Sequence, residues 1–301
     1  MTAKRKITIS LLLTACLIVC IKLFVPAPFN NRELKKEFWV GKTHTPQTFP
    51  VIAGGDSRVY RGFATEIFEE QTSTRAHNLG YSSAGWSSEY LQFLISKLDT
   101  SAAEPTIILG LSPHSFTKRG AKNEHYNTFA TLSDFEIFRG TVLSKHLKHF
   151  SPFKPEELVK GVFGIEKKST YFEGFRSGGW VHSHKVPEDS TSAIPSYQKT
   201  FRDNHVDTAI ISNFVQTIDK LVKRDLRVII YRSPTTDQME AIEDSMSGFN
   251  ETRLKAQLVA VGAEWIDFNN NEYRSYDGSH LHYEAAIQLT EALSKHYLRI
   301  E

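Results

Sequence analysis

Five short apolar runs, separated by stretches of helical period, constrain this chain more than any other feature. The runs are Phe49–Gly54, Arg75–Gly80, Thr106–Leu111, Arg227–Arg232 and Glu264–Phe268. The helical stretches are Val59–Gln71, Ser87–Asp99, Val206–Arg224, Thr236–Val261 and Tyr283–Leu298. In Val206–Arg224 the residues Ile210, Ile211, Phe214, Val215, Ile218, Leu221 and Val222 recur at helical spacing, and Ala285, Ala286, Leu289, Ala292 and Leu293 make a similar stripe in the last stretch. Strands that alternate with helices imply βαβ units, a parallel sheet, and helices on both faces. The expectation is an α/β fold, and 301 residues at 40% hydrophobic composition supply ample core. Functional groups of such sheets gather at the carboxyl ends of the strands. That edge would carry Ser57, Ser82-Ser83, Ser112, Arg232 and the segment Asp277 to His280.

Two regions depart from the rhythm. Residues 113–205 lack regular alternation and are rich in aromatics and histidines, as in Gly178-Gly179-Trp180-Val181-His182-Ser183-His184. An insertion leaving the third strand at this edge reads either as a lid or substrate wall, or as an addition packed on the flank. At the N-terminus, Lys4-Arg5-Lys6 precedes an uncharged run from Ile7 to Ile21, and Lys22 interrupts before Leu23-Phe24-Val25. Basic residues ahead of an apolar segment hold that end in the cytoplasm, and Lys22 can snorkel at the far interface. The expected organisation is a basic cytoplasmic tail over 1–6, a transmembrane helix anchoring the chain over 7–25, a polar linker over 26–47 with a short helix at Asn31–Phe38, and one domain over 48–301. Leu13-Thr14-Ala15-Cys16 resembles a lipobox, so acylation of Cys16 is the alternative to an uncleaved span. Either leaves the domain outside the inner membrane, in the periplasm, with that membrane as a partner. The two cysteines, Cys16 and Cys20, both lie in the apolar run, which leaves the domain without a disulfide framework or a cysteine-held metal. A net charge of +2, with no basic stripe interleaved with aromatics, excludes nucleic acid as a partner.

Two short motifs far apart in the chain read as halves of one site. Gly54-Gly55-Asp56-Ser57-Arg58 closes the first run, and Asp277-Gly278-Ser279-His280 opens the final helical stretch. Serine becomes a competent nucleophile when an adjacent imidazole takes its proton, and that imidazole works best when a carboxylate orients it. Ser57, His280 and Asp277 supply the three groups. The plainer reading makes Ser57 a turn residue and Asp277 a helix cap, and capping is compatible with the catalytic role. Asp56 reads as the residue that fixes the turn, and Asp267, at the end of the last run, is the rival for the acid.

On these residues the chain resembles the SGNH (GDSL-type) hydrolases, in particular the membrane-anchored branch that includes the alginate acetylation proteins and the D-alanyl transfer protein of teichoic acid. The resemblance runs from about Phe49 to the C-terminus, apart from the insertion. Gly55-Asp56-Ser57 matches the block that carries the nucleophile, and Asp277 to His280 matches the block that completes the triad. It implies a three-layer α/β/α, flavodoxin-like domain that cleaves or transfers esters through an acyl-serine without a cofactor, on an acylated or glycan substrate. The middle blocks depart from the family pattern. Ser83 stands at the oxyanion-hole glycine in Asn78-Leu79-Gly80-Tyr81-Ser82-Ser83, and Gly110-Leu111-Ser112-Pro113-His114 lacks the usual asparagine. The oxyanion donors are therefore expected to be Ser57, Ser83 and Ser112. A catalytically idle domain that binds glycans or scaffolds a membrane assembly is the alternative.

Other residues draw weaker expectations. Arg58 reads either as a contact to an anionic substrate or as the partner of a nearby carboxylate. Arg232, opening Arg232-Ser233-Pro234, suits bidentate binding of a carboxylate or phosphate. His114 is a substrate-binding candidate at the tip of the third run. His182 and His184 sit as a lone His-x-His in a glycine-rich segment, a pattern more often incidental than metal-binding, and no metal is expected.

Overall fold

The computed structural model describes residues 2–24, 32–150 and 170–299. Its strands are β1 (Val51–Gly55), β2 (Ala76–Asn78), β3 (Thr106–Leu111), β4 (Thr170–Phe175), β5 (Val181–Val186), β6 (Arg227–Arg232) and β7 (Glu264–Ile266). Five form one parallel sheet in the order β2-β1-β3-β6-β7, with Ala53 opposite both Asn78 and Ile108, and Ile108 opposite Ile229. Counted within the sheet, this is the order 2-1-3-4-5 of flavodoxin-like sheets, whose direction of winding reverses between β1 and β3. Every expected strand is present.

β1 and β3 are buried along their whole length, the pattern of strands covered on both faces. On one face Val51, Ala53, Ile108, Ile229 and Tyr231 join Val59, Phe63 and Phe68 and the stripe Ala285, Ala286, Leu289 and Leu293 of the last helix, Tyr283–Leu298. On the other, Leu94 of the helix Ser88–Ser96 comes so near Gly54 that a Cβ there would lie 2.4 Å from its methyl carbon. Phe214 of the helix Thr208–Val222 packs on Trp86 and Phe116, at 4.8 and 5.4 Å between rings. Three layers result.

Two expected helices are each split. Val59–Gln71 becomes Ser57–Gly62 and Thr65–Thr72, because distant side chains take the backbone groups at the break. Asn78 Nδ2 donates to the carbonyls of Val59 and Phe63, and the Thr290 hydroxyl accepts from Ala64 N. Thr236–Val261 becomes Asp237–Ser247 and Glu251–Ala260: Gly248 ends the first at φ +74°, and the Asn250 side chain caps the second. The insertion contains the antiparallel pair β4–β5 and the helix Ile194–Phe201. Gly178-Gly179 lies in the turn that joins its two strands. A side chain at Gly179, at φ +85°, would collide with the Asn78 carbonyl.

The chain divides into two compact units. One comprises Lys42–Thr131 and Ser169–Glu301, and holds both sheets. The other comprises Met1–Gly41 and Leu132–Lys168, with ion pairs Arg139–Glu33 at 3.2 Å and Lys148–Glu37 at 2.7 Å. The helix Arg32–His44 is longer than the short one expected in the linker. The segment expected as an anchor is helical over Ala3–Phe24, and Val25 lies outside the described residues. Among the described residues no helix is long and apolar enough to cross a membrane.

Candidate active site

Ser57 owes its position to a sharp strand-to-helix turn. β1 ends at Gly55, whose φ of +149° suits glycine and where a Cβ would lie 2.5 Å from the Gly110 carbonyl oxygen. Asp56 caps the helix Ser57–Gly62: its Oδ1 accepts from Arg58 N at 2.9 Å, and its Oδ2 accepts from the Ser112 hydroxyl at 2.6 Å. Ser57 is thereby the first residue of a helix at the carboxyl edge of the sheet, beside the β1–β3 switch point.

The second motif meets it there. His280 Nε2 lies 2.9 Å from Ser57 Oγ, and His280 Nδ1 lies 2.8 Å from Asp277 Oδ2. Asp277 Oδ1 accepts from the backbone N–H groups of Ser279 and His280, at 2.9 and 2.7 Å, so one carboxylate shapes the loop and orients the ring. Gly278 takes φ +96°, and a Cβ there would strike the Ser190 carbonyl. The Tyr276 ring stacks on the imidazole at 5.9 Å. Burial, and after it the Arg61 guanidinium, hold the His280 pKa below its ordinary value against the opposing pull of Asp277. Burial raises the Asp277 pKa, but the charge and hydrogen bonds of His280 outweigh it and bring it down to about 2. A carboxylate that only accepts places the ring proton on Nδ1 and leaves Nε2 free to take a proton from Ser57.

Around Ser57 lies a cavity of about 230 Å³, lined by Asp56, Tyr60, Arg61, Ser82, Ser83, His114, Ser196, Tyr197, Thr200 and His280. Ser83 holds a left-handed conformation, φ +53°, where glycine would be more at ease. Neither Ser57 N–H nor Ser83 N–H has a hydrogen-bond acceptor among the described residues. Both lie at the cavity and are free to meet an oxyanion. Ser112 is not. It is buried, its proton goes to Asp56, its oxygen faces Ser115 Oγ at 3.0 Å, and it does not line the cavity. His114 does line the cavity, with its pKa lowered by burial.

Both candidate arginines pair with protein carboxylates: Arg58 takes the second of its two expected readings, and Arg232 departs from the expected substrate contact. Arg58 is buried and bidentate to Glu243, at 3.2 and 2.5 Å, with Nε donating to Ser279 Oγ at 3.2 Å. Ser279 Oγ donates in turn to Tyr197 OH at 2.6 Å, so Arg58 braces the loop that carries Asp277 and His280. Arg232 pairs with Asp244 and Glu251 at 2.7 Å each and with Glu240 at 3.4 Å. Asp267, the rival acid, instead pairs with Lys255 and accepts from Trp265 Nε1. His182 and His184 pack on Tyr283, at 4.1 and 5.5 Å between rings. Sequence reasoning missed Arg61 and the helix Ile194–Phe201. For Arg61 the signal was available: it stands four residues after Ser57, hence on the same helix face.

No family model matches the sequence, and no curated protein matches it. Among solved structures it is similar to a protein assigned as a platelet activating factor from Streptococcus pneumonia, at 11% identity and a TM-score of 0.40, over 95% of this chain and 99% of that one. It is also similar to a protein assigned as an acylhydrolase from Bacteroides fragilis, at 9% identity and a TM-score of 0.40, over 90% and 100% of the two chains. A third is an acetyl xylan esterase from the rumen bacterium Butyrivibrio proteoclasticus, at 10% identity and a TM-score of 0.34, over 85% and 65%.

Proposed function

We propose that this chain is a serine esterase or O-acyltransferase of SGNH type that works through an acyl-serine intermediate. The observation that carries the reading is the relay from Ser57 Oγ through His280 to Asp277, with contacts of 2.9 and 2.8 Å. Ser57 Oγ attacks the acyl carbonyl carbon while its proton passes to His280 Nε2. Collapse of the tetrahedral intermediate breaks the ester C–O bond, and His280 returns the proton to the leaving oxygen. Water or an acceptor hydroxyl then attacks the acyl-serine and gives its proton to His280; the acyl C–O bond to Ser57 breaks and the proton returns to Ser57 Oγ, so hydrolysis and transfer differ only in that second nucleophile. The N–H groups of Ser57 and Ser83 stabilise the oxyanion.

The cavity's 230 Å³ equals about eight waters' share of liquid volume, which suits a short acyl group. Tyr197, half-buried in its wall, is an aromatic side chain that can pack on a sugar ring. These features support an acylated glycan of the cell envelope as substrate. The basic-then-apolar N-terminus supports attachment to the inner membrane, with the catalytic unit in the periplasm.

A fluorophosphonate probe tests the reading. It should label the parent protein covalently on Ser57 and leave Ser57→Ala unlabelled. Absence of labelling, together with no turnover of any activated acetyl ester, would overturn it in favour of an idle glycan-binding domain.

A further inference from the structure

Arg58, Arg61 and Arg232, all largely buried, differ in one respect. Arg58 and Arg232 each direct both Nη groups to carboxylates at hydrogen-bond distance. Arg61 does not. Its side chain, 14% exposed, makes no hydrogen bond to any described residue, and its buried Nε has no partner. Among the described residues its one ionic contact, Nη2 to Glu173 Oε1, is 3.5 Å long, well beyond the roughly 2.7–2.9 Å of a charge-assisted hydrogen bond. The guanidinium is held between aromatic rings, 5.0 Å from the centre of Tyr60 and 5.3 Å from that of Tyr171. Its backbone carbonyl is fastened to Trp180 Nε1 at 2.9 Å.

A guanidinium presents five donors in a fixed planar fork, and leaving buried donors unfilled is costly. Here the guanidinium is flanked by the two rings, and Arg61 lines the cavity that holds Ser57 and His280. Ser57 and Arg61 are i and i+4 on one helix, so their Cβ atoms lie about 5–6 Å apart. The acidic group in that wall, Asp56, already accepts from Arg58 N and Ser112 Oγ.

On the reading that Ser57 acylates, we propose that Arg61 is a specificity residue that receives an anionic group of the substrate, a carboxylate carried about one helical turn from the attacked carbonyl. The carboxylate belongs either to the acyl group, as in a dicarboxylic half-ester, or to the alcohol, as in an acetylated uronic acid. Both present the same planar pair of oxygens to the fork.

Two measurements test this. In the first, kcat/KM is compared for nitrophenyl acetate, nitrophenyl hemisuccinate, O-acetyl glucuronate and O-acetyl glucose, with parent protein, Arg61→Met and Arg61→Lys. The parent should favour one anionic ester over its neutral counterpart. That ratio should fall ten- to a hundredfold in Arg61→Met, the loss of a bidentate charge-assisted contact, and be partly restored in Arg61→Lys. Preference for the hemisuccinate assigns the acyl side, and preference for the acetyl glucuronate assigns the alcohol side. Ser57-dependent turnover with no anionic preference, or equal loss on all four esters, would overturn the proposal. In the second, succinate and glucuronate are titrated into Ser57→Ala protein by calorimetry, which needs no catalysis. Saturable binding of either anion that Arg61→Met abolishes supports the subsite even if the acylation reading fails. Absence of binding for both overturns the subsite even if the esterase stands.

Discussion

Replacing Asp277 by asparagine separates the two tasks of that residue. One carboxylate oxygen accepts from Ser279 N and His280 N, and an amide oxygen can do the same, so the loop survives. The other oxygen accepts from His280 Nδ1, and an amide can present N–H there instead. The imidazole then takes the other tautomer, with Nε2 protonated and unable to accept from Ser57. Acylation should fall on the order of 10⁴-fold, the loss seen when the acid of a serine triad is made an amide, which corresponds to about 5 kcal/mol of transition-state stabilisation. Stability should fall far less. The Asp277 pKa stands at about 2 against an ordinary 3.8. At 1.36 kcal/mol per pKa unit, its ionised form contributes at most about 2 kcal/mol. The native-state value is depressed, so this contribution is complete above the unfolded value near 4 and is lost as pH falls through about 2. The assay is stopped-flow acylation by an activated acetyl ester from pH 6 to 8, beside urea unfolding at pH 7. His280 already has a lowered pKa, and loss of the carboxylate lowers it further, so raising the pH within this range should not rescue the variant. Acylation within tenfold of the parent would refute the relay and leave Asp277 a loop-shaping residue.

Three further outcomes follow from the same contacts. Glu243→Ala leaves Arg58 charged and buried without its partner and should cost about 3–5 kcal/mol in urea unfolding; a loss under about 1 kcal/mol would show the pair to be dispensable. Ser112→Ala strips Asp56 Oδ2 of its donor, costing about 1–3 kcal/mol in stability, while acylation changes less than tenfold; a hundredfold fall in rate at unchanged KM would return Ser112 to the oxyanion hole. The acylation rate should climb with pH through a His280 pKa below 6.5, and Arg61→Met should move that limb upward by removing a cation that opposes protonation; a limb that stays in place would contradict the coupling.

The parts of this protein legible in the sequence are those set by short-range pattern. The five runs of the parallel sheet were legible because each is a continuous apolar segment bounded by polar residues, and the sheet buries them on both faces. The meeting of Ser57, His280 and Asp277 was legible because Asp277 and His280 are three residues apart in one loop, and Ser57 occupies a turn with its own capping residue, Asp56. What escaped depended on partners far away in the chain. The break after Gly62 is made by Asn78 and Thr290, neither of which belongs to that segment. Arg58 and Arg61 are indistinguishable as residues of one short helix. Arg58 is silenced by Glu243, 185 positions away, whereas Arg61 faces the cavity with donors unfilled. Ser112 likewise reads as a donor at a strand tip until Asp56, 56 positions earlier, takes its proton. Local pattern determines where a charge or hydroxyl is placed along an element. Whether it is neutralised there or left for a substrate depends on which groups the folded chain brings within hydrogen-bond reach, and only the tertiary structure decides that.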